Sequence, residues 1–110
     1  MAKDKINEEV YLEDLCFQAQ QAAEKSLKAV LLLFREEPPR THNLLVLLKG
    51  VAKHTSLPNG MIEVNDLNDY AVQTRYPGDH TPIGEEEYVR AIALAERCYD
   101  WAKRIIGEKQ

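Results

Sequence analysis

Apolar positions along the chain fall into four blocks separated by loop signals. In the first, Leu12, Leu15, Cys16, Ala19, Ala23, Leu27, Val30, Leu31 and Phe34 follow one another at steps of three and four, which marks one face of a helix. The spacing predicts a helix over about residues 10–36, ended by Pro38-Pro39, with Met1 to Glu9 a polar stub before it. Its alanine-rich middle, Ala19 to Ala29, allows a neighbouring helix close approach. Thr41 is an expected N-cap for a second helix reaching about Lys53. Leu44, Leu45, Val46, Leu47, Leu48 and Val51 cover more than one stripe of it, so packing on two sides is expected. Ser56, Pro58, Asn59 and Gly60 form a loop. A third, weaker pattern carries Ile62 or Val64, Leu67, Ala71 and Thr74, with Tyr70 beside them. It should stop near Arg75, because Tyr76 precedes a proline. Glu85-Glu86-Glu87 then suits a first helical turn, where the dipole favours carboxylates. The last helix runs Tyr88, Ala91, Ala95, Cys98, Ala102, Ile105, with Ile92, Tyr99 and Ile106 as a second row and Gly107 as its expected stop. No strand-like alternation or internal repeat appears. The expectation is an all-α, antiparallel up-and-down bundle of about four helices, in a single domain over residues 1–110.

Composition narrows the class. The chain has 110 residues, 45% apolar and 29% charged, ordinary for a globular domain. No apolar run approaches a membrane span, and no secretory signal opens the chain, so the cytoplasm is the expected compartment. Cys16 and Cys98 both fall on apolar stripes and read as core thiols. Two cysteines and three scattered histidines offer no metal-ligand spacing, and no cofactor is expected. The net charge of −4 disfavours a broad phosphate-neutralising surface. Any contact with RNA would then use a few local groups; DNA binding is not expected.

Candidate chemistry concentrates in Arg75-Tyr76-Pro77-Gly78-Asp79-His80. In an unbroken helix, residues five apart point about 140° away from each other. The Pro-Gly pair breaks the helix, and a turn there can bring Arg75 and His80 together.

Three segments resemble a known family. Cys16 to Ala29, with its Gln20-Gln21-Ala22-Ala23-Glu24-Lys25 core, is similar to the long-helix signature of the prokaryotic HEPN domains. Thr41-His42-Asn43-Leu44 resembles the start of that family's next helix, and Arg75 to His80 matches its R-x4-H motif in the expected place. The resemblance implies a compact helical bundle that pairs as a two-fold homodimer. In active members, Arg and His of both chains line a cleft at the interface and cut RNA without a metal. Many are toxins paired with a small nucleotidyltransferase antitoxin of the MNT type; others are silent and have been proposed to bind nucleotides. Two departures accompany the match. The family's opening helix of about five turns is replaced here by the polar stub, so an N-terminally shortened bundle is expected. The tyrosine that receives AMP in silenced toxins, two residues past the histidine, is Pro82 here, so that control is not carried over.

Metal-free cleavage needs a proton acceptor for the 2′-hydroxyl and a cation for the phosphate. His80 suits the first role and Arg75 the second. The plainer alternative makes Arg75 a helix C-terminal cation and His80 a solvated loop residue. Asp79 orients the imidazole or caps the turn, and Tyr76 stacks on a base or packs on the bundle. Glu24 and Lys28 read as an exposed helical ion pair. Gln20 and Gln21 read as contacts across a dimer, His42 as structural, and His54 as solvated. Three functions stay open: a HEPN-type ribonuclease toxin, a catalytically silent module binding a nucleotide or a nucleotidyltransferase, and a plain helical dimerisation domain.

Overall fold

The computed structural model describes residues 2–71 and 83–109. Three α-helices and one 3₁₀ helix make up its regular structure: α1 (Ala2–Leu33), α2 (Leu44–Ala52), the 3₁₀ helix (Met61–Tyr70) and α3 (Glu85–Lys109). The all-α bundle of four helices is as the apolar pattern predicts, and no strand occurs among the described residues.

α1 begins at Ala2, so residues 2–9 are helical and not a separate stub. At 1.5 Å per residue its 32 residues span about 48 Å, close to the 51 Å long dimension of the molecule. Val10 and Tyr11 are exposed, and the first core residue among those described is Leu12. From there Cys16, Ala19, Ala23, Leu27, Val30 and Leu31 are buried as the spacing requires.

The end of α1 comes at Leu33, before the prolines, and it is a capping motif that stops it. Glu36 N–H donates to Leu31 C=O (3.0 Å) and Arg35 N–H to Leu32 C=O (2.9 Å). This paired closure needs a left-handed residue at Arg35, whose φ is 62°. Glycine takes that conformation without the Cβ penalty of about 1 kcal/mol. Arg35→Gly is therefore expected to stabilise the fold by about 1 kcal/mol, moving the urea midpoint up at unchanged slope. A lower midpoint would mean that the arginine side chain contributes more than its backbone costs.

α2 is capped by Asn43, whose Oδ1 accepts from Leu45 N–H (3.0 Å). Thr41, the expected cap, instead accepts from Asn43 N–H (3.0 Å). The helix starts two residues later than its first good capping residue because Asn43 lies directly before it. Leu44 N–H, another terminal donor, is taken by Asn68 Oδ1 from the 3₁₀ helix (2.7 Å). Leu44, Leu47, Leu48 and Val51 are fully buried while Val46 is exposed. The helix packs against both α1 and the 3₁₀ helix.

The third element is 3₁₀, not α. Its buried residues are Met61, Val64, Leu67 and Tyr70, each three apart, and a helix of three residues per turn aligns such a row on one side. Ile62, which a mixed three-four pattern would admit, is exposed. Gly60 opens the element at φ 84°, and Arg97 reaches back from α3 to donate to its carbonyl (3.0 Å).

Two elements run as antiparallel neighbours: from Gly60 to Asp66 to Tyr70 along the 3₁₀ helix, the α3 partners descend through Arg97, Arg90 and Glu87. Contacts between α1 and α3 instead ascend together, Leu15 and Ala19 lying by Ile92 and Ala29 by Ile106. The reason is residues 34–43, which return along α1 and use up one chain reversal before α2 starts. On α3, Ala91, Leu94, Ala95, Cys98, Trp101 and Ala102 are buried. Leu94 and Trp101 thus supply core bulk on a row the small-residue stripe does not include. The helix continues through Gly107 to Lys109, since a glycine in αR geometry does not by itself end a helix.

Candidate functional site

Arg75, Tyr76, Asp79 and His80, together with Pro82, lie outside the described residues. Tyr70 and Ile83 lie on either side of residues 72–82. On the near side Tyr70 is buried, and its hydroxyl donates to the Glu87 carboxylate in the first turn of α3. Burial, and then the neighbouring Glu87, push the Tyr70 phenol above its ordinary range. On the far side Ile83 is buried in the common core. Tyr70 and Ile83, which bracket residues 72–82, both belong to the core.

A polar cluster lies within the core. Gln20 is fully buried and Glu24 nearly so, which neither an exposed ion pair nor a contact between chains would produce. Gln20 Nε2 donates to His42 C=O (3.1 Å) and to Glu24 Oε1 (3.3 Å), while Gln21 Nε2 donates to Gln20 Oε1 (2.7 Å). Glu24 Oε1 also meets His42 Nδ1 at 2.9 Å, and its Oε2 accepts from Lys28 Nζ at 3.0 Å. Burial alone would raise the Glu24 carboxyl; hydrogen bonds from His42, Lys28 and Gln20 outweigh it and hold the group below its ordinary range. An ionised Glu24 accepts from every partner, so His42 Nδ1 carries a proton. His42 thereby precedes the α2 cap and is tied to α1, with its ring still 70% exposed.

The signal for this cluster was present in the spacing. Cys16, Gln20, Glu24, Leu27 and Leu31 are separated by four, four, three and four, so both polar residues occupy core-facing positions. A buried carboxylate on such a face needs partners, and His42 becomes one only because the loop returns along α1.

His54 and the two cysteines occupy structural positions. His54 is exposed, as expected, but its ring stacks on Phe34 (centroids 5.0 Å apart) and Nε2 meets Glu36 Oε1 at 2.7 Å. These contacts fasten the end of α2 to the end of α1. Cys16 and Cys98 are buried and form no disulfide, and burial pushes Cys98 up to about 12, which leaves it an unreactive thiol. No cluster of His, Cys, Asp and Glu among the described residues is placed to hold a metal ion. No helix there is long and apolar enough to cross a membrane.

A shallow groove follows the α1–α3 seam. Two adjoining hollows of about 450 and 270 Å³ share Ala22 and Tyr99. The second row on α3, Ile92, Tyr99 and Ile106, lines this groove, with Ile92 also packed against the edge of the core. Tyr99 is exposed at its middle.

An all-helical bundle whose longest helix carries the buried Gln20 and Glu24, tied to His42 in the loop before α2, defines the setting of the R-x4-H sequence. The chain belongs to the HEPN domain family, whose model matches residues 1–105. No curated protein and no solved structure matches it.

Proposed function

We propose that this chain is a metal-independent HEPN endoribonuclease, the toxin of a pair with an MNT-type nucleotidyltransferase. The family match over residues 1–105 carries the reading, because its span contains Arg75 and His80 in the R-x4-H spacing. His80 takes the 2′-hydroxyl proton and Arg75 offers the planar fork that suits phosphate oxygens. Asp79 and Tyr76 support them from within the same six-residue stretch of sequence. Purified protein is expected to cleave RNA equally with and without a chelator; loss of cleavage on chelation would remove the metal-free mechanism.

The reading includes a homodimer, and the α1–α3 groove supports it. Small residues such as Ala19, Ala22 and Ala102 let a second pair of helices approach closely. Lys25 and Lys103 border one end and Glu96 the other. A second copy turned about a two-fold axis at Ala22 and Tyr99 sets lysines against glutamate at both ends. Ala22→Arg, which buries an unpaired cation at that axis, is expected to convert the dimer to monomer in sedimentation and to leave the helical circular dichroism unchanged. A dimer of undiminished affinity would put the interface elsewhere.

The net charge of −4 favours a second reading, a catalytically silent module that binds a nucleotide or a nucleotidyltransferase. A wild-type protein that cuts no RNA but binds such a partner would establish it.

A further inference from the structure

We propose that α1 clasps the α1 of a second copy of this chain end to end and antiparallel, laying Tyr11 of each chain on Leu32 of the other. The inference rests on the homodimer of the reading above and extends it beyond the groove. α1 carries a stripe apart from its core face. Tyr11, Gln18, Lys25 and Leu32 recur every seven residues, and Leu15, Ala22 and Ala29 recur between them. Steps of four and three keep all of them on one side of the helix. Leu15 to Ala29 on this stripe line the two hollows. Tyr11 and Leu32 continue the line past the hollows at either end, 63% and 60% exposed.

The stripe is complementary to its own reverse. Counted from Ala22, Leu15 lies seven residues before and Ala29 seven after, and Gln18 four before and Lys25 three after. Tyr11 lies eleven before and Leu32 ten after. An antiparallel copy thus sets leucine on alanine, amide by ammonium and tyrosine on leucine. A parallel copy would set Lys25 against itself. α3 obeys the same axis. Ile92 and Ile106 flank Tyr99 by seven residues each way, and Glu96 and Lys103, of opposite charge, stand three before and four after. Tyr99 lies beside Ala22 in both hollows, so the two centres coincide. Size agrees as well. A contact over residues 15–29 of α1 is about 21 Å long, and one over residues 11–32 about 32 Å. Two helices side by side are about 20 Å wide, so the footprint grows from about 400 to about 600 Å². The larger figure approaches the roughly 800 Å² per partner of a stable complex.

The test places cysteines at the two ends of the stripe. Tyr11→Cys, Leu32→Cys and the double variant are treated with a short bismaleimide and run on a denaturing gel. Within one chain the two positions are about 32 Å apart along the helix, beyond such a linker, so a bond between them joins two chains. Cys16 and Cys98 are fully buried, and the wild-type protein gives the background. The double variant is expected to form a covalent dimer and neither single variant to do so. Leu32→Asp is expected to weaken the dimer at least about 10-fold in sedimentation. Its helical circular dichroism should not change, since the position is exposed in the single chain. A double variant that sediments as a dimer yet gives no covalent product, or single variants that cross-link as readily, overturns the clasp and leaves the homodimer standing. A Leu32→Asp dimer of wild-type affinity likewise overturns it. A wild-type chain that sediments as a monomer removes the homodimer and the clasp together. RNA cleavage by the same sample decides the ribonuclease reading separately.

Discussion

Replacing His80 by alanine is expected to lower RNA cleavage at least about 10³-fold, and Arg75→Ala by a similar factor, with the thermal midpoint unchanged. The size follows from what each group does. Removing a positioned general base costs on the order of 10²–10⁴ in rate, and removing a preorganised charge from a developing phosphorane costs about 10²–10³. Arg75→Lys is expected to recover little, because an ammonium lacks the planar two-point contact with phosphate oxygens. The stability of both variants should match wild type, since the core described here is assembled by α1, α2, the 3₁₀ helix and α3. Cleavage of RNA fragments on a denaturing gel, beside thermal melts, checks both statements together. Undiminished cleavage by either variant would defeat the assignment of the pair.

Glu24→Ala is expected to carry the largest stability cost among single polar substitutions, about 2–3 kcal/mol. Breaking a buried charged network by removing one member costs roughly 3–5 kcal/mol. The exposure of His42, and the partial exposure of Lys28, reduce that figure because water takes over part of their solvation. Gln20 has no such recourse: it is fully buried and keeps His42 C=O but loses its other acceptor. Glu24→Gln keeps the shape and one acceptor oxygen and should cost about half as much. The dependence on pH carries a definite sign. The folded-state pKa of Glu24 is depressed, so its contribution is complete above the ordinary carboxylate value of about 4.3 and is lost as pH falls through the folded value. The wild-type advantage over Glu24→Gln in chemical denaturation should therefore be constant near neutrality and shrink below about pH 4. An advantage independent of pH down to 3 would mean that the carboxylate is not the ionised hub of this network.

Much of the fold was legible without coordinates, wherever local spacing and burial agree. The α1 face from Leu12 to Leu31 and the acidic start of α3 emerged from periodicity and dipole chemistry alone, because a long amphipathic helix has one way to hide its stripe. Boundaries were less legible. A Schellman closure on an arginine ended α1 before its prolines, and a mostly polar segment without a stripe of its own extended the helix back to Ala2. The second row on α3 was a helix face whose destination the pattern did not contain. Ile92, Tyr99 and Ile106 line a surface groove, and Leu94 with Trp101 fill the interior.

Sequence by itself determined that this chain is helical, which face of α1 is buried, that its two thiols are core residues, and that an R-x4-H pair sits between its last two helices. Tertiary structure decided two matters. One is the 3₁₀ form of Met61–Tyr70, where a row of large side chains at strict three-residue spacing prevails once α3 and α2 pack on either side of it. The other is Glu24. On its own helix it is one member of a common i,i+4 pair with Lys28; its spacing puts it on the core-facing side, but nothing local supplies the partner it needs there. It becomes a buried, ionised hub only because residues 34–43 return along α1 and bring His42, eighteen positions away, to its carboxylate. A contact of that kind depends on the path of the chain and not on its local preferences.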